Sequence, residues 1–326
     1  MLTNILLYDI VNCYLNSTLK IDKRIITKEK IIVNWELMVG VACLYNYGFA
    51  QVFVKKIGAV EGSRTRKLVW QYFFAASLAL ITGALYGQLI INWSVIIVAV
   101  IGAANAFGCY CHWRAYDISM ARTAVLSSLD DLIAITLGYA HLGELAILTP
   151  TRAMGIMVSV ISAIVFARVK NAGKSDDTSA GRKLILWVFG YSIIWGFAIF
   201  SMRFFAIEGL HLLSYVAAWY VGAYFGALVT RFGIMGKKEA GQPLTHIQLM
   251  KVLLLAVVIW TSLMFAYWMR ELVPITIIQP IQLVGEMSIP TIIALIFFGE
   301  ARTMSRTEIV VIISGLIGVA LIAIAF

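Results

Sequence analysis

The chain has 326 residues, of which 61% are hydrophobic and 13% charged, with a mean hydropathy of +0.88. Soluble domains carry about 25% charged residues, so this composition excludes a water-soluble enzyme or binding domain and indicates a polytopic membrane protein. The net charge of +9 fits basic loops that orient membrane helices better than a nucleic-acid partner.

The first stretch, MLTNILLYDIVNCYLNSTLK, is interrupted by Asp9, Asn12 and Asn16, and IDKRIITKEK follows it. It is too broken to span a bilayer and lacks the basic start, compact apolar run and small-residue cleavage site of a signal peptide. Residues 1–33 therefore read as a non-spanning extension. Beyond them, apolar runs of about 20 residues, the length needed to cross roughly 30 Å of hydrocarbon, recur ten times. They predict an all-α fold with membrane helices near 34–54, 68–88, 91–113, 120–142, 151–168, 184–205, 211–232, 249–269, 273–298 and 307–326. A β-barrel would need short alternating strands instead.

The loops between these spans are unevenly charged. Odd-numbered loops hold Lys55, Lys56, Arg64, Arg66 and Lys67, then Arg114 and Arg122, then Arg168 to Lys183, then Arg231 to Lys251, then Arg302 and Arg306. Even-numbered loops hold Arg152, Arg203 and Arg270. The positive-inside rule puts the odd loops in the cytoplasm and both termini outside, while the basic extension from Lys20 to Lys30 argues for the reverse. The four cysteines, Cys13, Cys43, Cys109 and Cys111, read as small apolar core residues; Cys109 and Cys111 stand two apart on a helix and face different ways. His112, His141, His211 and His246 fall near predicted helix ends, where an interfacial or solvated imidazole is expected. No second cysteine or histidine pair completes a metal site, and no cofactor is implied.

An internal repeat organises the chain. HLGELAILTPTRAMGIMVSVISA aligns with FFGEARTMSRTEIVVIISGLIGV, pairing Gly143 and Glu144 with Gly299 and Glu300, Asp130 with Glu286, and Arg114 with Arg270. At a slightly shorter offset YGFAQVFVKK, residues 47–56, aligns with WGFAIFSMRF, residues 195–204. Two halves of five spans each are predicted, 34–168 and 184–326, joined by a basic linker at 169–183. With an odd number of spans per half, the second half inserts upside down, giving a 5+5 inverted repeat.

The duplicated pattern, YNYGFA with HLGE and MGIMVSV in the first half and IIWGFA with FFGE and ISGLIGV in the second, resembles two copies of the EamA unit of the drug/metabolite transporter superfamily. The resemblance covers about 34–326. It implies a multi-pass carrier of a bacterial or archaeal cytoplasmic membrane, with a central cavity lined mainly by spans 1, 3, 4, 6, 8 and 9 and closed by 5 and 10. Two departures stand out. Ala134 occupies the place of the fourth-span proline that Pro290 supplies in the second half, and the family's usual termini-inside orientation opposes the loop charges.

Within the fourth span, LSSLDDLIAITLGYAHLGE carries two adjacent acids. Asp130 lies about ten residues from Met120, roughly 15 Å deep, and Glu286 holds the matching depth in the ninth span. A carboxylate there costs at least about 2.5 kcal/mol on insertion scales, which marks both as functional candidates. Thr123, Ser127 and Asp130 form one polar stripe at i, i+4 and i+7; Gln279, Gln282 and Glu286 form another at i, i+3 and i+7. Asp131 sits about 100° from Asp130 and is expected to matter less. Ser127, Thr123 and Gln282 serve equally well as interhelical hydrogen-bonding glue. Pro274, Pro280 and Pro290 of the ninth span each remove a backbone donor, which suits a cavity wall. Asn105, Cys109 and His112 share a face of the third span. Trp195 and Tyr45 are further cavity candidates, and Trp219, Tyr220 and Tyr224 fit either an interfacial belt or packing. Glu144 and Glu300 read as caps or partners of Arg152 and Arg302. Glycines Gly155, Gly315 and Gly318 are expected at close helix contacts.

The sequence contains no Gly-x-Gly-Asp, no Gly-x-Ser-x-Gly, no complete phosphate-cradling loop and no mid-helix lysine. The expectation is a non-enzymatic secondary transporter moving a small, amino-acid-like or other organic solute, with protons as coupling partner. The alternatives are a proton-coupled exporter of lipophilic cationic drugs and a membrane-embedded enzyme.

Overall fold

The computed structural model describes residues 35–58, 63–142, 149–151, 153–155, 157–158, 161, 165, 177–234, 243–299 and 306–324. The predicted extension 1–33, with Cys13, lies outside them, as do Gly143, Glu144, Arg152, Glu300 and Arg302. The chain divides into two units, Met1–Met38 and Val39–Phe326, and the candidate site lies within the second.

Among the described residues there is no strand. Helix α1 runs through Trp35–Cys43, a π-helical stretch Leu44–Phe49 and Ala50–Gly58. It is followed by α2 (Arg64–Leu85), α3 (Trp93–Ile118) and α4 (Met120–His141). The described residues between 150 and 165 are helical. Then come α5 (Asp177–Ile207), α6 (Leu212–Val229, extended by a π-helical Thr230–Ile234), α7 (His246–Leu272), α8 (Ile275–Phe297) and α9 (Arg306–Ile324). Helical segments thus occupy all ten predicted places. Six of them, α2 to α4, α5 from Gly181, α6 with its extension, and α7, are long and apolar enough to cross a membrane.

Side-chain caps set most of the helix starts. Ser63 accepts from the Arg66 amide, Asn92 from Val95 and Ser119 from Arg122, while Thr245 and Gln248 form a reciprocal capping box. Ser119 alone separates α3 from α4, since α3 continues past its predicted end at 113 to Ile118. Several presumed loop charges are consequently helical. Arg114 belongs to α3 and Lys67 to α2, where the buried Lys67 donates to the Ile57 carbonyl at 2.9 Å. Arg203 and Arg270 are likewise inside α5 and α7. Hydropathy locates apolar centres, and a helix prolonged by polar residues into the interface is invisible to it.

The helices assemble across the proposed halves: α3 packs most extensively on α6, and α4 on α5 and α8. In lipid, association rests on close packing because apolar side chains gain nothing by leaving hydrocarbon. Gly222 and Gly226 of α6 meet the carbonyls of Ala99 and Ala103 on α3, and Gly102 of α3 meets that of Trp219, with no room for a Cβ at any of the three. The close approach expected at Gly155, Gly315 and Gly318 is therefore found most clearly at this other seam; Gly155 and Gly318 are buried, and the surroundings of Gly315 lie outside the described residues. Gly222→Ala is expected to force α3 and α6 apart at a cost of about 1–3 kcal/mol, read as a lower unfolding midpoint in detergent. An unchanged midpoint would show that the seam tolerates separation.

Candidate functional site

Two helices bring the acids together at their midpoints. Asp130 is the eleventh of the 22 residues of α4, counting from Met120, and Glu286 the twelfth of the 23 of α8, counting from Ile275. Glycines make the approach possible. A Cβ on Gly196 of α5 would lie 2.8 Å from the Asp130 carbonyl and 2.7 Å from Ile133 Cβ, so only glycine lets α5 sit this close to the acidic turn of α4. Gly285, beside Glu286, similarly admits Cys43 and Tyr47 of α1 within 3.2 Å of where its Cβ would be.

The carboxylates of Asp130, Asp131 and Glu286 lie within 4.8 Å of one another, a spacing at which they could hold one cation. Asp130 and Asp131 are both 0% exposed. The expectation that Asp131 turns away is corrected here. At about 100° per residue, Asp130 lies about 60° to one side of Ser127 and Asp131 about 40° to the other, so both flank the same stripe. Ser127 Oγ stands 2.8 Å from Glu286 Oε1. Asp130 Oδ1 accepts from the Asp131 amide at 2.7 Å. Asp131 Oδ1 accepts from Gln279 Nε2. The second oxygens of both aspartates have no protein partner.

Arg270, taken from sequence as a loop charge, completes the cluster. It is 3% exposed, and its guanidinium reaches from the end of α7 to Gln279 Oε1 at 2.9 Å, Gln282 Oε1 at 2.8 Å and the Ala266 carbonyl at 2.9 Å. Gln279 thus stands as an amide bridge, accepting from the cation and donating to Asp131. The two glutamines of the α8 stripe orient a buried charge, which is why they occupy that face.

Beside this cluster lies a cavity of about 150 Å³. Glu286, Gln282, Arg270 and Tyr47 form its charged end. Asn105, Cys109 and His112 of α3 line it together, as their shared face requires, with Trp195 and Tyr191 of α5 and Trp219 and Tyr220 of α6. His112 is therefore buried and stacked on Tyr191, centroids 4.5 Å apart, and is not solvated at a helix end. Asn105 donates to the Tyr72 hydroxyl at 3.4 Å.

Other candidates fall elsewhere. Among the described residues Asp130, Asp131, Thr123, Ser127 and Gln279 are not part of the lining, so α4 reaches the cavity through the Ser127 bond to Glu286, and α2 and α6 contribute walls. Thr123 Oγ1 bonds the Ser119 carbonyl at 2.6 Å. Tyr45 is not part of the lining; its hydroxyl donates to the Val258 carbonyl at 3.3 Å and its ring packs on Phe265. The π-helical stretch instead presents Asn46 and Tyr47, and Asn46 accepts from Ser262 at 2.7 Å. Tyr224 packs on Phe73, away from the cavity. Pro274 is the N-cap of α8, where a missing amide costs nothing, while Pro290 is buried within the helix.

No family model matches the sequence, and no curated protein sequence matches it. Eighteen chains of known structure match its fold. One, described only as a protein, superimposes with a TM-score of 0.60 over 89% of this chain and 96% of its own length, at 13% identity. At that identity the likeness concerns the fold alone.

Proposed function

We propose that the chain is a secondary transporter for a small organic solute, built as two inverted five-helix repeats over 34–168 and 184–326 and working by alternating access around a midplane site. The observation that carries this reading is the cavity itself. Polar groups and aromatic faces surround a space for about five water molecules at ~30 Å³ each, and a charged wall containing Glu286 lines one end. Few, placed polar groups among aromatic walls suit recognition of a small solute. The volume favours one of amino-acid size.

Charge balance supports coupling to protons. Three carboxylates against one guanidinium would leave two negative charges buried in a region remote from water, and protons taken by the cluster relieve them. Because Glu286 faces the cavity and Asp130 and Asp131 are not part of its lining, a proton on Glu286 is the one that solute entry would affect first. Arg270 on the same wall weighs against the lipophilic-cation alternative, since a permanent cation would face an immobile guanidinium. Membership of the EamA-type carriers, and a place in a bacterial or archaeal cytoplasmic membrane, belong to the same proposal and rest on the repeated YGFA/WGFA and LGE/FGE patterns.

Counterflow tests it. Amino acids, sugars, nucleosides and cationic dyes are first ranked by how far they raise the unfolding midpoint of the purified protein. The stabilising solutes are then loaded into proteoliposomes, and exchange with labelled external solute is followed. Exchange that Trp219→Ala slows at least tenfold is expected; stabilisation without exchange would make the chain a binding protein.

A further inference from the structure

A second depression opens on the outer wall, between α1 and the first turns of α7. It has a volume of about 340 Å³ and is lined by Val52, Phe53, Lys56 and Ile57 from α1 and Lys251 and Leu254 from α7. Ile57 forms a buried floor, while Lys56 and Lys251 are exposed. The C-terminal turn of α1 and the N-terminal part of α7 meet here, so Lys56 and Lys251 stand at the same end of the helix pair.

We propose that this slot binds an anionic glycerophospholipid, with an acyl chain between α1 and α7 and the headgroup phosphate between Lys56 and Lys251. Three features fit that occupant. The volume is many times the ~30 Å³ share of one water, and four of the six lining residues are apolar, so hydrocarbon fills it better than solvent. From the slot an exposed apolar stripe, Met250 at 63%, Leu254 at 49% and Val257 at 38%, follows α7 into the membrane at i, i+4 and i+7, the path an acyl chain takes. The lining contains two cations and no acid, which complements a headgroup bearing net negative charge; basic recesses between membrane helices select such headgroups over zwitterionic ones. Lysines that merely extend to the interface would face water independently, whereas these two converge on one slot.

The test uses the full-length protein in detergent with dioleoyl phosphatidylglycerol, dioleoyl phosphatidylcholine or glycerol phosphate added at equal concentration. Phosphatidylglycerol is expected to raise the unfolding midpoint by several degrees more than phosphatidylcholine. The double variant Lys56→Gln/Lys251→Gln is expected to lose at least half of that difference, and Lys183→Gln, an exposed lysine outside the slot, to keep it. If the double variant does not fold, Lys251→Gln alone is read in the same way. Equal stabilisation by both lipids, full retention in the slot variant, or an equal effect from glycerol phosphate, which would make this a site for the free anion, each overturns the proposal.

Discussion

Arg270→Met is expected to destabilise the protein by about 3–5 kcal/mol, the usual penalty for removing one partner of a buried charged network. The guanidinium holds the Gln279 and Gln282 carbonyls and the Ala266 backbone carbonyl at once. Its loss strands the two buried glutamine carbonyls and removes the cation hydrogen-bonded to the acidic cluster through Gln279. Arg270→Lys should recover only part of the loss, because a single ammonium on a shorter reach cannot serve acceptors on two helices with the geometry of a planar fork. Unfolding in a mixed-micelle titration reads the difference directly. Wild-type stability in Arg270→Met would mean that the carboxyl cluster is neutral without it, and the charge balance proposed above would fall.

The second large effect is expected at Glu286. Glu286→Gln keeps the side-chain volume and leaves an amide oxygen to bond Ser127, so folding should survive. It removes the carboxyl that faces the cavity among the described residues, so gradient-driven accumulation should fall by at least a hundredfold while solute exchange persists. Asp131→Asn should rank next, because it disturbs the Gln279 bridge to Arg270. Asp130→Asn should be the mildest of the three, since its one bonded oxygen accepts from the adjacent Asp131 amide. This order reverses the expectation from sequence, in which Asp130 leads and Asp131 follows.

That reversal marks where one-dimensional reading ends. Composition and apolar run length place α4 at 120–142 against an observed Met120–His141, and α8 at 273–298 against Ile275–Phe297, because the bilayer imposes both length and polarity on each span. The α8 stripe was equally legible, since 3.6-residue periodicity decides which residues share a face. Partners across helices were not. Arg270 stands two residues from the end of α7, where a charge normally meets water; only the packing of α8 against that end shows that it turns inward. The π-helical Leu44–Phe49 shifts the inward face from Tyr45 to Asn46 and Tyr47, and no residue pattern in LYNYGF announces it. The Gly222 and Gly226 seam was hidden for a related reason: in an apolar run, a glycine that admits a neighbouring backbone looks the same as one that faces lipid.

The most direct test of the central claim is uptake by proteoliposomes of a solute that stabilises the protein, with and without an imposed proton gradient, for wild type and Glu286→Gln in parallel. The account predicts that wild type accumulates the solute only when the gradient is present, and that Glu286→Gln exchanges solute across the membrane but accumulates none under either condition. Gradient-driven accumulation by Glu286→Gln at the wild-type level would contradict it.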